Sequence, residues 1–256
     1  MLKAVVFSAL LALLWGPVAA DDGKKAPQAR AEQQFDFDAM RAELVRRIGL
    51  HIAATREETG VDAIEPHVLE AIGNVPRHEF VPEPLQPLAY FDVPLPVGHE
   101  QNISQPFLIA LMTHLVRIEA DDTVFETGTG AGYQAAILSK LAKKVFSVEV
   151  VAPLAAAAAD RLKRLGYDNI EVRHADGYYG WRERGPYDAM IIKEAVHHIP
   201  PPLLNQLKPG GRMIVPVGPL DGMQHLTLVE KGFDGKIKRT KLIEVKFSPL
   251  QGGERI

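Results

Sequence analysis

The chain has 256 residues, of which 24% are charged, and a net charge of −3 at pH 7. Its basic residues are scattered rather than gathered in a stripe, which argues against a nucleic-acid-binding surface. The absence of cysteine excludes disulfides, thiolate metal sites and cysteine nucleophiles. The length suffices for one large domain with an appendage.

The N-terminus has the pattern of a secretory signal peptide. Met1 to Lys3 is positively charged, Ala4 to Trp15 is apolar but short for a bilayer span, and Val18-Ala19-Ala20 is typical of a cleavage site. We expect residues 1–20 to be removed and the mature chain, from Asp21, to be exported to the periplasm without stable membrane insertion. An uncleaved anchor, or a misassigned start and a cytoplasmic protein, is the alternative.

A cover of helices and proline-rich chain is predicted over residues 36–105, after a polar, flexible linker at residues 21–35. Phe35 to Thr59 should be helical, because apolar residues recur along one face: Phe37, Met40, Leu44, Ile48 and Ile52. Glu65 to Gly73 predicts a second helix, with Pro66 in its first turn. Prolines throughout Val75 to Pro96 exclude regular helix, while interleaved aromatic residues indicate an ordered cover over the ligand site.

Ser104 stands just before a predicted helix. Pro106 suits the first turn of that helix, and an apolar run follows from Phe107 to Val116. We therefore predict that Ser104 is the N-cap of this helix. Spacing alone leaves open whether it also has a catalytic role.

Residues 123–149 predict the opening βαβ unit of a doubly wound nucleotide-binding fold. A strand from Thr123 to Glu126 leads into a Gly-rich turn, a helix-compatible run and a second strand from Val145 to Val148. The turn contains glycines that let the backbone approach a ligand closely: Gly128, Gly130 and Gly132. Glu149, at the tip of the second strand, is placed to accept hydrogen bonds from ribose hydroxyls.

The Gly-rich turn matches neither a dinucleotide site nor a P-loop. Tyr133 stands where G-x-G-x-x-G needs its last glycine, and no Gly-Lys-Ser/Thr is present. Glu126, two residues before Gly128, would repel a phosphate and suit a cationic ligand. S-adenosylmethionine has a sulfonium and an amino group but no phosphate, and the arrangement resembles the cofactor site of class I methyltransferases. An ordinary βαβ turn whose glycines serve only packing is the alternative.

The second half of the chain supplies further strands and helices. Val150 to Leu165, with consecutive alanines from Ala155 to Ala159, predicts a helix packed closely on the sheet. Asn169 to Arg173 predicts a third strand. It leads into Asp176-Gly177, where Asp176 either accepts a hydrogen bond from an adenine amino group or only shapes a turn.

The last predicted strands complete the sheet. Tyr187 to Ile192 predicts a fourth strand, followed by Lys193 to Pro200, whose adjacent histidines cannot easily chelate one metal ion. Gln206 to Gly211 is predicted to close a helix before a strand from Arg212 to Val217. Two further strand-like runs predict an antiparallel edge: Gln224 to Glu230 and Lys236 to Phe247.

Several motifs together resemble the protein-L-isoaspartate O-methyltransferase family. VPRHEFVPE is similar to the family's VPR-x-x-FVP, AYFDVPLP to AY-x-D-x-PLP, and GHEQNISQP to G-x-x-Q-T-I-S-x-P. FETGTGAGY matches E-x-G-x-G-x-G-Y, HADGYYGW resembles the GDG element, and PPLLNQLKPGGRMIVPVG and VKFSPLQGG resemble later segments. The resemblance covers residues 75–253. It implies a doubly wound, Rossmann-like α/β methyltransferase core at residues 106–256, with the N-terminal helical cover and antiparallel edge strands.

The resemblance also implies roles for individual residues. Ser104 aligns with the family's functional serine and is the predicted catalytic residue, although Asn102 stands where the family usually has Thr. Lys193 and Glu194 replace small residues of the family pattern. This departure puts the identity of the methyl acceptor in doubt more than the identity of the cofactor. Predicted cofactor-binding residues are Gln101, Asn102, Ile103, Glu126, Gly128, Gly130, Gly132, Glu149, Asp176 and Gly177; predicted substrate residues are His99, Lys193, Glu194 and Leu250; no metal is predicted.

The implied reaction is methyl transfer from S-adenosylmethionine to the free α-carboxylate of L-isoaspartyl residues in damaged proteins or peptides. The methyl ester closes to a succinimide, whose hydrolysis returns part of the material to aspartate. One alternative is another carboxylate or small-molecule acceptor. Another is a cofactor-binding protein without turnover, since export separates the chain from cofactor made in the cytoplasm.

Overall fold

The computed structural model describes residues 35–252, and the described residues from Asp36 onward belong to one structural unit. The predicted signal peptide and all of the predicted linker except Phe35 lie outside this part of the chain. These two segments, and the division predicted between residues 105 and 106, stay predictions.

The N-terminal cover begins with helices in both predicted regions. The first predicted helix is divided at Thr55 into α1 (Phe37–Ala54) and α2 (Arg56–Thr59), and the second is α3 (Pro66–Asn74). The Asp36 side chain caps α1 by accepting a hydrogen bond of 2.9 Å from the backbone N–H of Ala39. The apolar face predicted from the spacing is confirmed in Leu44, Ile48 and Ile52, which are fully buried.

The proline-rich segment is irregular, as predicted, and it is held by one buried side chain. It forms two short 3₁₀ helices, Arg77–Phe80 and Glu83–Leu88, and then the hairpin of β1 (Leu95–Gly98) and β2 (Gln101–Ile103). The guanidinium of Arg77 donates hydrogen bonds to three backbone carbonyls of this cover: Ala89 (2.9 Å), Val93 (3.3 Å) and Ser104 (2.9 Å).

Arg77 also connects the cover to the Gly-rich turn. Its guanidinium lies 4.8 Å from the ring centre of Tyr133, and the Phe80 ring packs edge-on against the same tyrosine at 5.5 Å. Tyr133 begins α5 (Tyr133–Ser139), directly after the Gly-rich turn. The cover is therefore attached to the helix that the turn leads into.

The prediction that Ser104 is the N-cap of the next helix is wrong. In α4 (Pro106–Leu115) the N-cap is Gln105, whose side chain makes no capping hydrogen bond. The cap comes from Asp92 instead, whose Oδ1 accepts a hydrogen bond of 2.8 Å from the Phe107 N–H. The Ser104 hydroxyl is thus not occupied in capping.

A seven-stranded sheet forms behind the cover, in the order β5-β4-β3-β6-β7-β8-β9. The strands from β5 to β7 are parallel, and β8 runs antiparallel to both of its neighbours. The doubly wound sheet with an antiparallel edge is therefore confirmed. The strands are β3 (Thr123–Thr127), β4 (Lys144–Glu149), β5 (Ile170–His174), β6 (Tyr187–Ile191), β7 (Leu207–Val217), β8 (Gln224–Lys231) and β9 (Ile237–Val245).

The helix predicted to close at Gln206 to Gly211 ends earlier. Helix α7 (Pro201–Gln206) stops at Gln206, and β7 begins at once with Leu207. Pro209 cannot continue a helix, and the pairing of β6 with β7 shifts register across this stretch, so its glycines lie in an irregular strand start.

The chain reverses its direction across the sheet between β3 and β6. It winds outward from β3 through β4 and β5, with α5 and α6 (Ala152–Arg164) between them, and then crosses back to place β6 beside β3. Ligands of doubly wound proteins bind at the carboxyl ends of the strands at such a reversal. Within residues 35–252, no helix combines the length and apolar character needed to cross a membrane.

Candidate functional site

A cavity of about 920 Å³ opens at the carboxyl ends of β3, β4 and β6. Its walls come from the Gly-rich turn, the β2 segment, helix α1 and the chain after β9. Eleven of the predicted site residues line it: Gln101, Asn102, Ile103, Ser104, Gly128, Gly130, Glu149, Gly177, Lys193, Glu194 and Leu250.

The Gly-rich turn has the backbone conformation that its sequence predicts. Gly128, Gly130 and Gly132 have φ angles of 63°, 55° and 94°, in the region that side-chain-bearing residues rarely adopt. Gly132 is the N-cap of α5 and does not line the cavity, since its α-carbon faces Leu162 of α6. Only Gly128 and Gly130 therefore present bare backbone to a ligand.

Glu149 ends β4 inside the cavity wall, as predicted. Its two carboxylate oxygens accept backbone N–H groups from Gly130 (2.8 Å) and Val151 (3.0 Å). A carboxylate has about four acceptor positions, so this one can still accept from a ribose. The bond to Gly130 fixes the carboxylate relative to the Gly-rich turn.

Glu126 does not face the cavity, contrary to its predicted place beside the ligand. It is fully buried beneath the turn, where Oε1 accepts from the Ser147 hydroxyl (2.7 Å) and Oε2 lies 3.0 Å from the Lys193 ammonium. Burial raises the pKa of Glu126, while the nearby Lys193 opposes this rise. The ammonium of Lys193 is therefore directed at Glu126 and balances the charge of that buried carboxylate.

Glu194 lies directly on the Gly-rich turn. Its carboxylate accepts a short hydrogen bond from the Thr127 hydroxyl, and a Cβ on Gly128 would lie 2.0 Å from Glu194 Oε1. Burial raises the pKa of Glu194 to about 7, although the Thr127 hydroxyl and Lys193 lower it. The side chain therefore uses the space that the missing Gly128 side chain leaves.

Two other predicted residues are not at the cavity. His99 lies in the exposed turn between β1 and β2, with a φ of 51°. Asp176 ends the loop after β5, where Oδ1 accepts from the Tyr178 N–H (2.9 Å) and Gly252 lies against Oδ2. The contact of Asp176 with adenine stays a prediction.

Ser104 follows β2 and lines the same cavity as the Gly-rich turn. Its backbone carbonyl accepts the hydrogen bond from Arg77, which fixes the position of the residue. No hydrogen bond to its hydroxyl is found among residues 35–252. The hydroxyl is thus free to bind a ligand in the cavity.

The cavity wall from α1 was not predicted, and only Leu250 was predicted in the wall after β9. His51 lines the cavity from α1, with Nδ1 2.8 Å from Asp92 Oδ2 and its ring stacked on Phe107. The chain after β9 contributes Lys246 to Gln251. The Leu250 N–H donates to the Ala195 carbonyl (2.9 Å) and the Ala195 N–H donates to the Ser248 carbonyl (2.8 Å), which holds this segment in place. Nothing in the local sequence pattern of α1 predicts that His51 lines a ligand site. The similarity of VKFSPLQGG to a family motif indicated the wall formed by the chain after β9.

The residues present fit S-adenosylmethionine. Bare backbone at Gly128, the acceptor Glu149 and the acidic Glu194 suit a ligand with hydroxyl groups and positive charge, and no cluster of lysine or arginine lines the cavity to hold a phosphate. Within residues 35–252 there is no group of three side chains placed to hold a metal ion. The fold and the site together define a class I S-adenosylmethionine-dependent methyltransferase.

The comparisons with known proteins narrow this class. The sequence profile of the protein-L-isoaspartate(D-aspartate) O-methyltransferase family matches residues 52–255, so the chain belongs to this family. It is 47% identical over 252 residues to protein-L-isoaspartate O-methyltransferase 1 of Cupriavidus necator, covering 98% of this chain and 92% of the relative. It is 50% identical over 217 residues to protein-L-isoaspartate O-methyltransferase 2 of Syntrophobacter fumaroxidans, covering 85% and 88%.

Solved structures agree with the assignment. A protein-L-isoaspartate O-methyltransferase superposes with a TM-score of 0.70 at 30% identity, over 83% of this chain and 66% of that one. A Plasmodium falciparum protein in complex with S-adenosyl-L-homocysteine superposes with a TM-score of 0.69 at 22% identity, covering 86% of this chain and all of that one, which shows the shared fold. The predicted family, enzyme class and cofactor are confirmed.

Replacing Gly128 should damage the cofactor site specifically. In Gly128→Ala the new methyl group collides with Glu194 and a positive φ becomes strained, so we expect affinity for S-adenosylmethionine to fall about tenfold or more. Gly60→Ala is the matched control, because Gly60 has a φ of 68° but no atom within 4 Å of its added Cβ. Calorimetric titration should show normal affinity in the control, and equal losses in both variants would contradict the assignment.

Proposed function

We propose that this protein transfers the methyl group of S-adenosylmethionine to the free α-carboxylate of L-isoaspartyl residues in damaged, exported proteins. Its membership in the isoaspartate methyltransferase family supports the reaction. The observation that carries the proposal is that Ser104 and β2 line the same cavity as Gly128 and Glu149. Such a cavity can hold a methyl donor and a carboxylate acceptor at the same time.

The acceptor needs orientation more than activation. A carboxylate with a pKa near 4 is already ionised at pH 7, so no strong general base is required. S-adenosylmethionine supplies a methyl group activated by its sulfonium. The hydroxyl of Ser104 donates a hydrogen bond to one carboxylate oxygen, which leaves the other oxygen to attack the methyl carbon.

The cover holds the acceptor in place and limits access of water. Arg77 fixes the carbonyl of Ser104, and Asp92 fixes the start of α4 immediately after it. The chain after β9 closes the opposite wall through its hydrogen bonds with Ala195. Rigid placement of two reactants can supply several kcal/mol of the barrier reduction, about 7–11 in well-oriented model reactions.

The reaction is tested with two peptides of identical sequence, one carrying L-isoaspartate and the other L-aspartate at the same position. With methyl-labelled S-adenosylmethionine, we expect base-labile label on the isoaspartyl peptide alone, because only that residue presents a free α-carboxylate. Label on neither peptide, although cofactor binds, would contradict the proposed acceptor. Label on an unrelated carboxylate would favour the alternative acceptors suggested by the Lys193–Glu194 departure.

Ser104→Ala should separate catalysis from cofactor binding. We expect turnover of the isoaspartyl peptide to fall about tenfold, the loss of one hydrogen bond to a charged group, while calorimetric affinity for S-adenosylmethionine changes less than about twofold. Ser139→Ala is the matched control, since that hydroxyl donates to the Ala136 carbonyl within α5. Unchanged turnover in Ser104→Ala would rule out its assigned role.

Export of the protein is proposed from residues 1–20, whose charge, apolar run and small residues are typical of a secretory signal. The mature chain should be recovered in the periplasmic fraction with Asp21 at its N-terminus. Leu11→Arg interrupts the apolar run and should retain the chain in the cytoplasm, whereas Ala31→Arg, beyond the signal, should not. Cytoplasmic recovery of unaltered full-length chain would contradict export.

A further inference from the structure

Glu194 is a carboxylate inside the cofactor cavity with no counter-ion of its own. It lines the cavity, and its hydrogen bond from Thr127 comes from a neutral hydroxyl. Within residues 35–252 no cation lies within ion-pair distance of it, because the ammonium of the adjacent Lys193 is directed at Glu126. Its negative charge is therefore available to a ligand.

The groups around Glu194 leave the cavity with an excess of negative charge. Glu149 on β4 also lines the cavity, and its carboxylate is held by two neutral backbone N–H groups. On β3, Glu126 is balanced by Lys193. Glu58 and Glu244 also line the cavity, where Lys246 is the further cation among the described lining residues. Of these carboxylates, Glu194 is the one that rests on Gly128.

The position of Glu194 is set by the ends of two neighbouring strands. Thr127 ends β3 at the Gly-rich turn. Its hydroxyl donates a hydrogen bond to the Glu194 carboxylate and accepts one of 3.3 Å from the backbone N–H of Lys193. These contacts attach the chain after β6 to the turn after β3. The carboxylate is consequently preorganised over the turn rather than mobile at its rim.

We propose that Glu194 is a specificity-determining residue that recognises the positive sulfonium charge of S-adenosylmethionine and so discriminates against S-adenosylhomocysteine. The inference rests on the proposed methyltransferase function. Methyl transfer breaks the bond between methyl carbon and sulfur and forms a bond from that carbon to the acceptor oxygen. The electron pair stays on sulfur, so the product carries one positive charge fewer than the cofactor.

The loss of that charge makes the two ligands different for Glu194. A nearby carboxylate attracts the sulfonium in a partly water-excluded site, and this attraction disappears in the thioether product. Glu194 therefore contributes binding free energy to the cofactor that the product does not receive.

Release of a proton from Glu194 should accompany recognition. Burial raises the pKa of Glu194 to about 7, the Thr127 hydroxyl and Lys193 lower it, and Glu149 and Glu126 raise it further. A cationic ligand favours the ionised carboxylate, so binding of S-adenosylmethionine near pH 7 should release protons from Glu194. Affinity for the cofactor should rise between pH 6 and pH 8, while affinity for the neutral-sulfur product should change less.

The test measures binding of both ligands by calorimetry, in buffers of different ionisation enthalpy, which also gives the number of protons released. Glu194→Gln keeps the shape and removes the charge. We expect its affinity for S-adenosylmethionine to fall about tenfold, with proton release lost, while affinity for S-adenosylhomocysteine changes less than about twofold. Glu57→Gln, which removes an exposed carboxylate on α2 outside the cavity, should leave both affinities and the proton release unchanged.

Three outcomes would overturn the inference. Equal changes in both affinities would show a structural role, and no change in either would show no role. Stronger binding of both ligands by Glu194→Ala would show that the side chain only obstructs the site. Failure of the unaltered protein to bind S-adenosylmethionine at all would instead contradict the proposed function, so the two failures are distinguishable.

Discussion

The buried guanidinium of Arg77 is the constraint on which the cover depends. Burial lowers its pKa to about 10, yet that value leaves it charged at neutral pH, and the charge is accommodated by three carbonyls and the face of an aromatic ring. Those carbonyls come from separate parts of the proline-rich segment. Because proline has no backbone N–H, this segment cannot form a regular pattern of backbone hydrogen bonds. Without Arg77 those carbonyls would lose their partner inside the protein, at a cost of about 1–3 kcal/mol each. One side chain thus fixes a segment that has little regular structure of its own.

The chemistry of the cavity depends on a second set of buried charges at the ends of three strands. Glu126, Glu149 and Glu194 come from β3, β4 and the chain after β6, and parallel strands bring their carboxyl ends to one edge of the sheet. Each carboxylate has a different partner: an ammonium, two backbone N–H groups, or a single hydroxyl. The same functional group can therefore support the fold, shape the turn or meet a ligand.

Local pattern was enough to predict the βαβ unit and the glycines, because strand, turn and helix are encoded within residues 123–149. The prediction is wrong where a residue outside the local pattern determines the structure. Asp92, rather than Ser104, caps α4. The spacing around Ser104 does not identify Asp92 as the cap. His51 was missed for the same reason, since its place at the cavity follows from how α1 packs, whereas the family motifs located Ser104 and Leu250 directly.

The cavity wall contributed by the chain after β9 has a consequence for how the enzyme is made. Leu250 and its neighbours pair with Ala195 only after the final strand has added to the sheet, while His51 contributes from the first helix. The site is consequently assembled from segments that lie far apart in the sequence. The pocket for the methyl donor is complete only when the chain after β9 has docked against Ala195.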